Sequence, residues 1–266
     1  PAGSPPAYMF VVDVCLIEEE LSALKQSLTQ ALSLLPENAS VGLITYGTHV
    51  HVHELGFDEC PKSYVFRGSK EFTSQQIQDQ LFRSTGGARP RPGQQTNGAA
   101  VTGHQSKFLV PLADCEFQLT SVLEELSRDS FSALPDCRPA RCTGTAVAVA
   151  ATLLASSVSN IPARAMLFVG GPATDGGGQV VGKELETAMR SHKDIAKGAA
   201  PFMNKATKYY ETVATQLCTN GHCLDVFACS LDQVGLAEMK VCAEKTGGMV
   251  VLAESFANTV FKTSFA

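Results

Sequence analysis

The chain has 266 residues, 44% of them hydrophobic and 18% charged, with a formal net charge of −5. That much apolar surface offsets the entropy of ordering a core and excludes a disordered chain, while the modest charge supplies no overall field directed at nucleic acid. The charged fraction lies below the roughly 25% usual for soluble domains, so part of the surface is expected to be covered by something else.

The sequence opens Pro1-Ala2-Gly3-Ser4-Pro5-Pro6 and enters an apolar run at once. It shows no basic leader and no apolar stretch of about eighteen residues, so neither a signal peptide nor a membrane span is read. Without an initiating Met, the chain is expected to be an excised piece of a larger soluble protein. Its nine cysteines, an odd number, lie partly inside apolar runs, and reduced cytosolic thiols are expected rather than a disulfide framework.

Ala7 to Val14 is a near-continuous apolar run interrupted only by Asp13, the pattern of a strand buried on both faces. Glu18 to Leu35 sets Leu21, Leu24, Leu28, Leu32 and Leu35 at helical spacing, with Glu18, Glu19 and Glu20 in the turn where the helix dipole favours them and Pro36 at the stop. Val41–Tyr46 and Val50–Leu55 flank Gly47-Thr48 as two strands joined by a tight turn. Tyr64–Phe66 is a short apolar piece and Thr73–Phe82 a helix. Residues 84–107 then carry Arg89, Arg91 and Lys107 without a carboxylate or an aromatic ring, so a mobile basic loop is expected there.

A helix follows around Glu116–Ser130, and the small-residue helix Thr145–Val158 is apolar almost all round, which places it inside the fold. Ala165–Val169 is a strand emptying into Gly170-Gly171-Pro172. Met203–Leu217 is a helix, Leu224–Cys229 a strand, Leu236–Glu244 a helix and Met249–Leu252 a strand. Strands alternating with helices imply one α/β domain over residues 1–266, doubly wound, with a mostly parallel sheet covered on both faces.

Four features bear on chemistry. Gly177 to Lys183 has the spacing of a phosphate loop, but Glu184 stands where Ser or Thr should hold magnesium, so a flexible glycine turn is the better reading. His49, His51 and His53 share one strand face, yet neighbours about 6–7 Å apart converge poorly on a tetrahedral zinc. Cys137 with Cys142, and Cys218 with Cys223, are separated by four residues rather than two, and inert thiols are favoured. Asp13 ends the first strand, where open α/β sheets bind ligands. A buried Asp satisfied by backbone amides accounts for it equally well.

Several segments meet a known family in order: Phe10-Val11-Val12-Asp13, Leu32-Ser33-Leu34-Leu35-Pro36, Val41-Gly42-Leu43-Ile44-Thr45, Lys62 through Gly68, Gly170-Gly171-Pro172-Ala173-Thr174, Leu231-Asp232-Gln233 and Thr246-Gly247-Gly248. From about Ser4 to Phe265 the chain resembles the trunk domain of the Sec-twenty-three subunit of the COPII vesicle coat, whose fold is von Willebrand factor A-like. Metal-binding relatives of that fold hold magnesium with Asp-x-Ser-x-Ser, a later Thr and a later Asp. The corresponding positions here read Asp13, Cys15 and Ile17, with Gly170 or Gly171 for the later carboxylate. Both hydroxyls are missing and Thr143 or Thr145 alone cannot complete an octahedral oxygen shell, so the ion site is expected to be degenerate and the domain to carry no cofactor.

The resemblance implies a structural and interaction domain of an inner-coat subunit in transport from endoplasmic reticulum to Golgi. It would be cytoplasmic and peripheral on the membrane, binding a Sar-type GTPase and the Sec-twenty-four subunit. It further implies that the arginine finger of the GTPase activator and a structural zinc module lie outside this segment, so no enzyme activity is expected of the domain itself. Arg89, Arg91 and Lys107 are candidates for contact with anionic lipid or a coat partner, each worth about 1 kcal/mol near an anionic membrane, against a solvated insertion as the plainer reading. An ion-dependent von Willebrand A-type module and a nucleotide-dependent α/β enzyme are the readings from other classes.

Overall fold

A computed structural model describes residues 5–56, 60–82, 106–131, 133–159 and 161–265. The hydrophobic periods translate into strands β1 (Ala7–Asp13), β2 (Ser40–Tyr46), β3 (His49–Glu54), β4 (Lys62–Arg67), β5 (Val110–Pro111), β6 (Ala163–Val169), β7 (His222–Cys229) and β8 (Val250–Ala253). They form an eight-stranded sheet in the order β4-β3-β2-β1-β6-β7-β8, with β5 paired to β2. β1 runs parallel to both neighbours, with Val11 opposite Ile44 on one side and Leu167 on the other. The β2–β3 and β3–β4 pairings are antiparallel.

The alternation of β1 is what makes two cores. Met9 and Val11 enter one buried cluster, Phe10 and Val12 the other. The first is covered by helices α2 (Ser74–Phe82), α4 (Thr143–Ser157), α6 (Met203–Thr219) and α7 (Leu236–Thr246). The second is covered by α1 (Glu18–Leu32), α3 (Leu112–Glu125) and α8 (Thr259–Phe265), with Phe168, Phe227, Phe256 and Phe261 packed ring against ring between sheet and α8. A short α5 (His192–Ala196) lies outside both layers and is held by a Ser191–Asp194 capping box.

The small side chains of α4 let it lie flat on the sheet, and Gly144 through Leu154 are buried almost without interruption. At the end of α7, Gly247 sits at φ 68°, a left-handed cap that glycine adopts without steric cost, and the chain turns there into β8.

The expected elements match closely, with differences at the ends. The first helix closes at Leu32 because Ser33 already caps it, short of Leu35. The helix expected at Glu116–Ser130 begins four residues earlier at Leu112 and breaks after Glu125, since residues 126–131 and 133–142 leave to form loops at the carboxyl end of the sheet. The segment 83–105, with Arg89 and Arg91, lies outside the described residues.

Candidate functional site

The chain leaves β1 toward β2 on one side and later returns to β6 on the other. The crevice between β1 and β6 is therefore the topological switch point, and its carboxyl end is the place where such sheets bind ligands. Asp13 closes β1 there and is fully buried. Its Oδ1 accepts the Cys15 N–H at 2.8 Å. Its Oδ2 accepts the Gly170 N–H at 3.0 Å and the Arg141 Nε–H at 2.8 Å.

Arg141 is 5% exposed and fills the crevice. Beyond Asp13, its Nη1 and Nη2 donate to the carbonyls of Pro172 and Cys15, each at 3.4 Å. Its backbone N–H donates to Thr174 Oγ1 at 2.9 Å, and Thr174 Oγ1 donates to Pro139 O at 2.6 Å. One guanidinium thus ties together the loops after β1, before α4 and after β6. Burial alone would lower its basicity; the Asp13 carboxylate, foremost among the neighbouring groups, raises it, and on balance Arg141 stays protonated. Gly171 makes room for it, because a Cβ there would collide with Arg141 Nη1.

The surrounding groups do not fit a magnesium ion. Asp13 has both oxygens engaged, and Gly170 presents an N–H donor where a carboxylate would be required. Burial, then Asp13, pushes the Cys15 thiol far above its usual range, so it stands as a protonated thiol. Ile17 is 57% exposed and carries no donor. Thr145 Oγ1 donates to Gly68 O at 3.0 Å, and Thr143 Oγ1 is buried without a hydrogen-bond partner. Magnesium needs a shell of oxygen ligands; this crevice instead surrounds a fixed organic cation. Among the described residues, no cluster of three His, Cys, Asp or Glu side chains is arranged to hold a metal.

The histidines of β3 share a face, as their alternation requires, and line an open groove of about 480 Å³ between β3–β4 and residues 125–131. Each ring is engaged separately. His53 Nε2 lies 3.0 Å from Thr45 Oγ1, His51 Nδ1 lies 3.3 Å from Ser63 Oγ, and the His49 ring packs 5.2 Å from that of Phe131. Burial, with His51 adding, lowers His53 to about 4.

The glycine turn before Lys183 is likewise committed to structure. Lys183 Nζ pairs with Asp175 Oδ2 at 2.8 Å, and Gly177 is pressed against Tyr209. Lys107 is not a projecting basic residue: its ammonium pairs with Glu54 at 3.2 Å, donates to the Tyr64 hydroxyl and lies 4.2 Å from the centre of the Tyr64 ring. Neighbouring β3 and β4 thus supply Lys107 with a carboxylate and an aromatic face.

A family model described as the Sec23/Sec24 trunk domain matches residues 3–266. The chain belongs to that family. The trunk domain is 50% identical over 265 residues to "Protein transport protein SEC23 F" of Arabidopsis thaliana, covering 98% of this chain and 34% of that protein. It is 51% identical over 265 residues to "Protein transport protein SEC23 C" of the same plant, covering 98% of this chain and 35% of that one. The chain therefore spans about a third of the length of these curated relatives. Among solved structures, the human COPII-coat protein Sec24c aligns with TM-score 0.58 at 18% identity over 95% of this chain and 30% of that one. A von Willebrand factor type A protein from Catenulispora acidiphila aligns with TM-score 0.50 at 12% identity over 99% of this chain and 42% of that one. At these identities the likeness is one of fold, and the fold is the doubly wound, von Willebrand A-like sheet expected from the sequence.

Within the trunk domain, sequence reasoning placed Asp13 and Gly170 together and missed Arg141. The signal was its position immediately before Cys142-Thr143-Gly144-Thr145, a charge at the entry of a helix made of small and apolar residues. A second buried cluster was also missed: Arg190 Nε donates to Glu238 Oε1 at 2.7 Å, its Nη2 pairs with Oε2, and its Nη1 donates to Gln233 Oε1 at 2.5 Å.

Proposed function

We propose that this trunk domain is a structural and interaction domain of a COPII inner-coat subunit in vesicle transport between endoplasmic reticulum and Golgi. The observation that carries the reading is the 50% identity to a Sec23 transport protein across nearly the whole chain. The Asp13–Arg141 pair supports it from the side of chemistry. A crevice filled by a side chain cannot capture a ligand through a bridging metal, so recognition falls to the surface rather than to an ion.

The partners in this reading are a Sar-type GTPase and the Sec-twenty-four subunit, with the domain binding rather than catalysing and the GTPase-activating group lying elsewhere in the protein. The coat would be cytoplasmic and peripheral on the endoplasmic reticulum; no described helix is long and apolar enough to cross a membrane. Arg89, Arg91 and Lys107 are the basic residues proposed for lipid or partner contact, and any structural zinc belongs to a separate module.

The test is a pull-down of the subunit with GTP-locked Sar-type GTPase and with the Sec-twenty-four subunit, set beside a variant of the subunit lacking residues 3–266. Binding that depends on those residues is expected. Equal capture of both partners without them would overturn the reading.

A further inference from the structure

The two edges of the sheet are finished differently. β4 begins with Lys62 and ends with Arg67, the charged finish that keeps an edge from pairing. β8 reads Val-Val-Leu-Ala, with neither charge nor proline. Among the described residues it pairs with β7 alone.

The geometry of that edge is specific. The carbonyls of Met249 and Ala253 accept from Val226 and Ser230 at 2.9 and 3.0 Å, so the odd-numbered residues turn their backbone groups toward β7. Alternation then turns the N–H and C=O of Val250 and Leu252 toward the free edge. The same two side chains are 38% and 61% exposed. Val251 packs into the core under α8, so Val250 and Leu252 face the α7 side. There Leu252 lines a largely apolar cleft of about 660 Å³ together with Ile195, Val234, Leu236 and Ala237.

We propose that β8 accepts an additional strand from the part of the longer polypeptide outside residues 1–266, whose backbone pairs with Val250 and Leu252 and whose alternate apolar side chains enter the cleft. The length of the relatives argues for this source. Residues matching this chain make up 34% and 35% of them, so most of such a polypeptide is tethered outside the domain. An edge with two outward-facing residues offers few hydrogen bonds and holds a free partner weakly. A tethered strand competes at an effective concentration of about millimolar. The inference does not depend on the coat reading, only on the domain's place within a longer chain.

Residue-resolved hydrogen exchange on the longer polypeptide tests it, with the Val251 amide, directed toward β7, as internal reference. The amides of Val250 and Leu252 are expected to exchange about 100-fold or more slowly than open-edge amides. Leu252→Lys, a change at an exposed side chain, is expected to remove that protection while Val251 stays slow. Fast exchange of Val250 and Leu252 in the unmodified protein would overturn the proposal. So would protection that grows with protein concentration, which indicates a second copy, or protection that appears only when another protein is added.

Discussion

Arg141 Nε and Asp13 Oδ2 lie 2.8 Å apart, with 6% of the arginine side chain exposed and none of the aspartate. Removing one partner leaves the other charged and buried, so Arg141→Ala is expected to cost about 3–5 kcal/mol in urea unfolding. Replacing both, as Asp13→Asn with Arg141→Met, should cost less than the sum of the single changes, because no uncompensated charge remains. Magnesium or EDTA should leave the unfolding midpoint of the unmodified protein where it is. A midpoint raised by magnesium would mean that the guanidinium does not hold the cation's place.

Gly171 carries a prediction that separates packing from charge. A methyl group there meets Arg141 Nη1, so Gly171→Ala should destabilise by about 1–3 kcal/mol through overpacking. In an Arg141→Ala background the added methyl has room, and its cost should largely disappear. Equal costs in both backgrounds would show that the glycine serves its own backbone instead.

Much of this was legible in the sequence because the signals were periodic. β1, β6 and β7 appear as short apolar runs, α4 as a run of small residues, and their alternation specified a parallel sheet. Asp13 and Gly170 could be placed at the same end of that sheet because each ends a strand. What stayed hidden depends on contacts across the chain. β5 is two residues long and has no period to read. α8 is held chiefly by Phe261 and Phe265 packing under the sheet. Arg141 reads as an ordinary loop arginine until the fold closes it over Asp13, and Arg190 meets Glu238 only when the loop after β6 lies against α7.

Thiol reactivity should divide by burial. Cys60 and Cys218 are exposed, whereas Cys115, Cys142, Cys229 and Cys242 are buried. Burial, with nearby carboxylates adding, pushes Cys115 up to about 12, and burial with Glu20 does the same for Cys229. Because the thiolate is the nucleophile, maleimide at neutral pH should modify Cys60 and Cys218 first and the four buried thiols only on unfolding. Mass mapping of a brief labelling reaction reads the order. Early labelling of Cys115 or Cys229 would contradict it.

His53 gives the domain an acid sensitivity of known sign. Unfolded, it takes up a proton near pH 6.5; folded, burial and then His51 hold it to about 4. Between those values the unfolded state binds more protons, so stability falls as pH drops from 6.5 toward 4 and this contribution levels off below. With the ring only half-buried, the loss is about 2 kcal/mol. His51, lowered mainly by burial, acts in the same direction. His53→Gln retains a partner for Thr45 and should flatten the stability profile over this window relative to the unmodified protein. An unchanged slope would remove His53 as the cause.

Glu238 is fully buried in the first turn of α7, where the helix dipole favours a carboxylate, and Arg190 meets it through two nitrogens while also reaching Gln233. This pair joins the loop after β6 to the helix that leads into β8, so its loss should loosen both. Glu238→Gln keeps the shape and removes the charge, and it is expected to cost about 3 kcal/mol because Arg190 stays buried without a counter-ion. Gln233→Ala removes one neutral acceptor and should cost about 1 kcal/mol. If the three side chains act as one network, the double change costs about 1 kcal/mol more or less than the sum of the two, whereas independent contacts add. Urea unfolding of the four proteins measures that difference. Additive costs would reduce the cluster to a simple Arg190–Glu238 pair with a bystander glutamine.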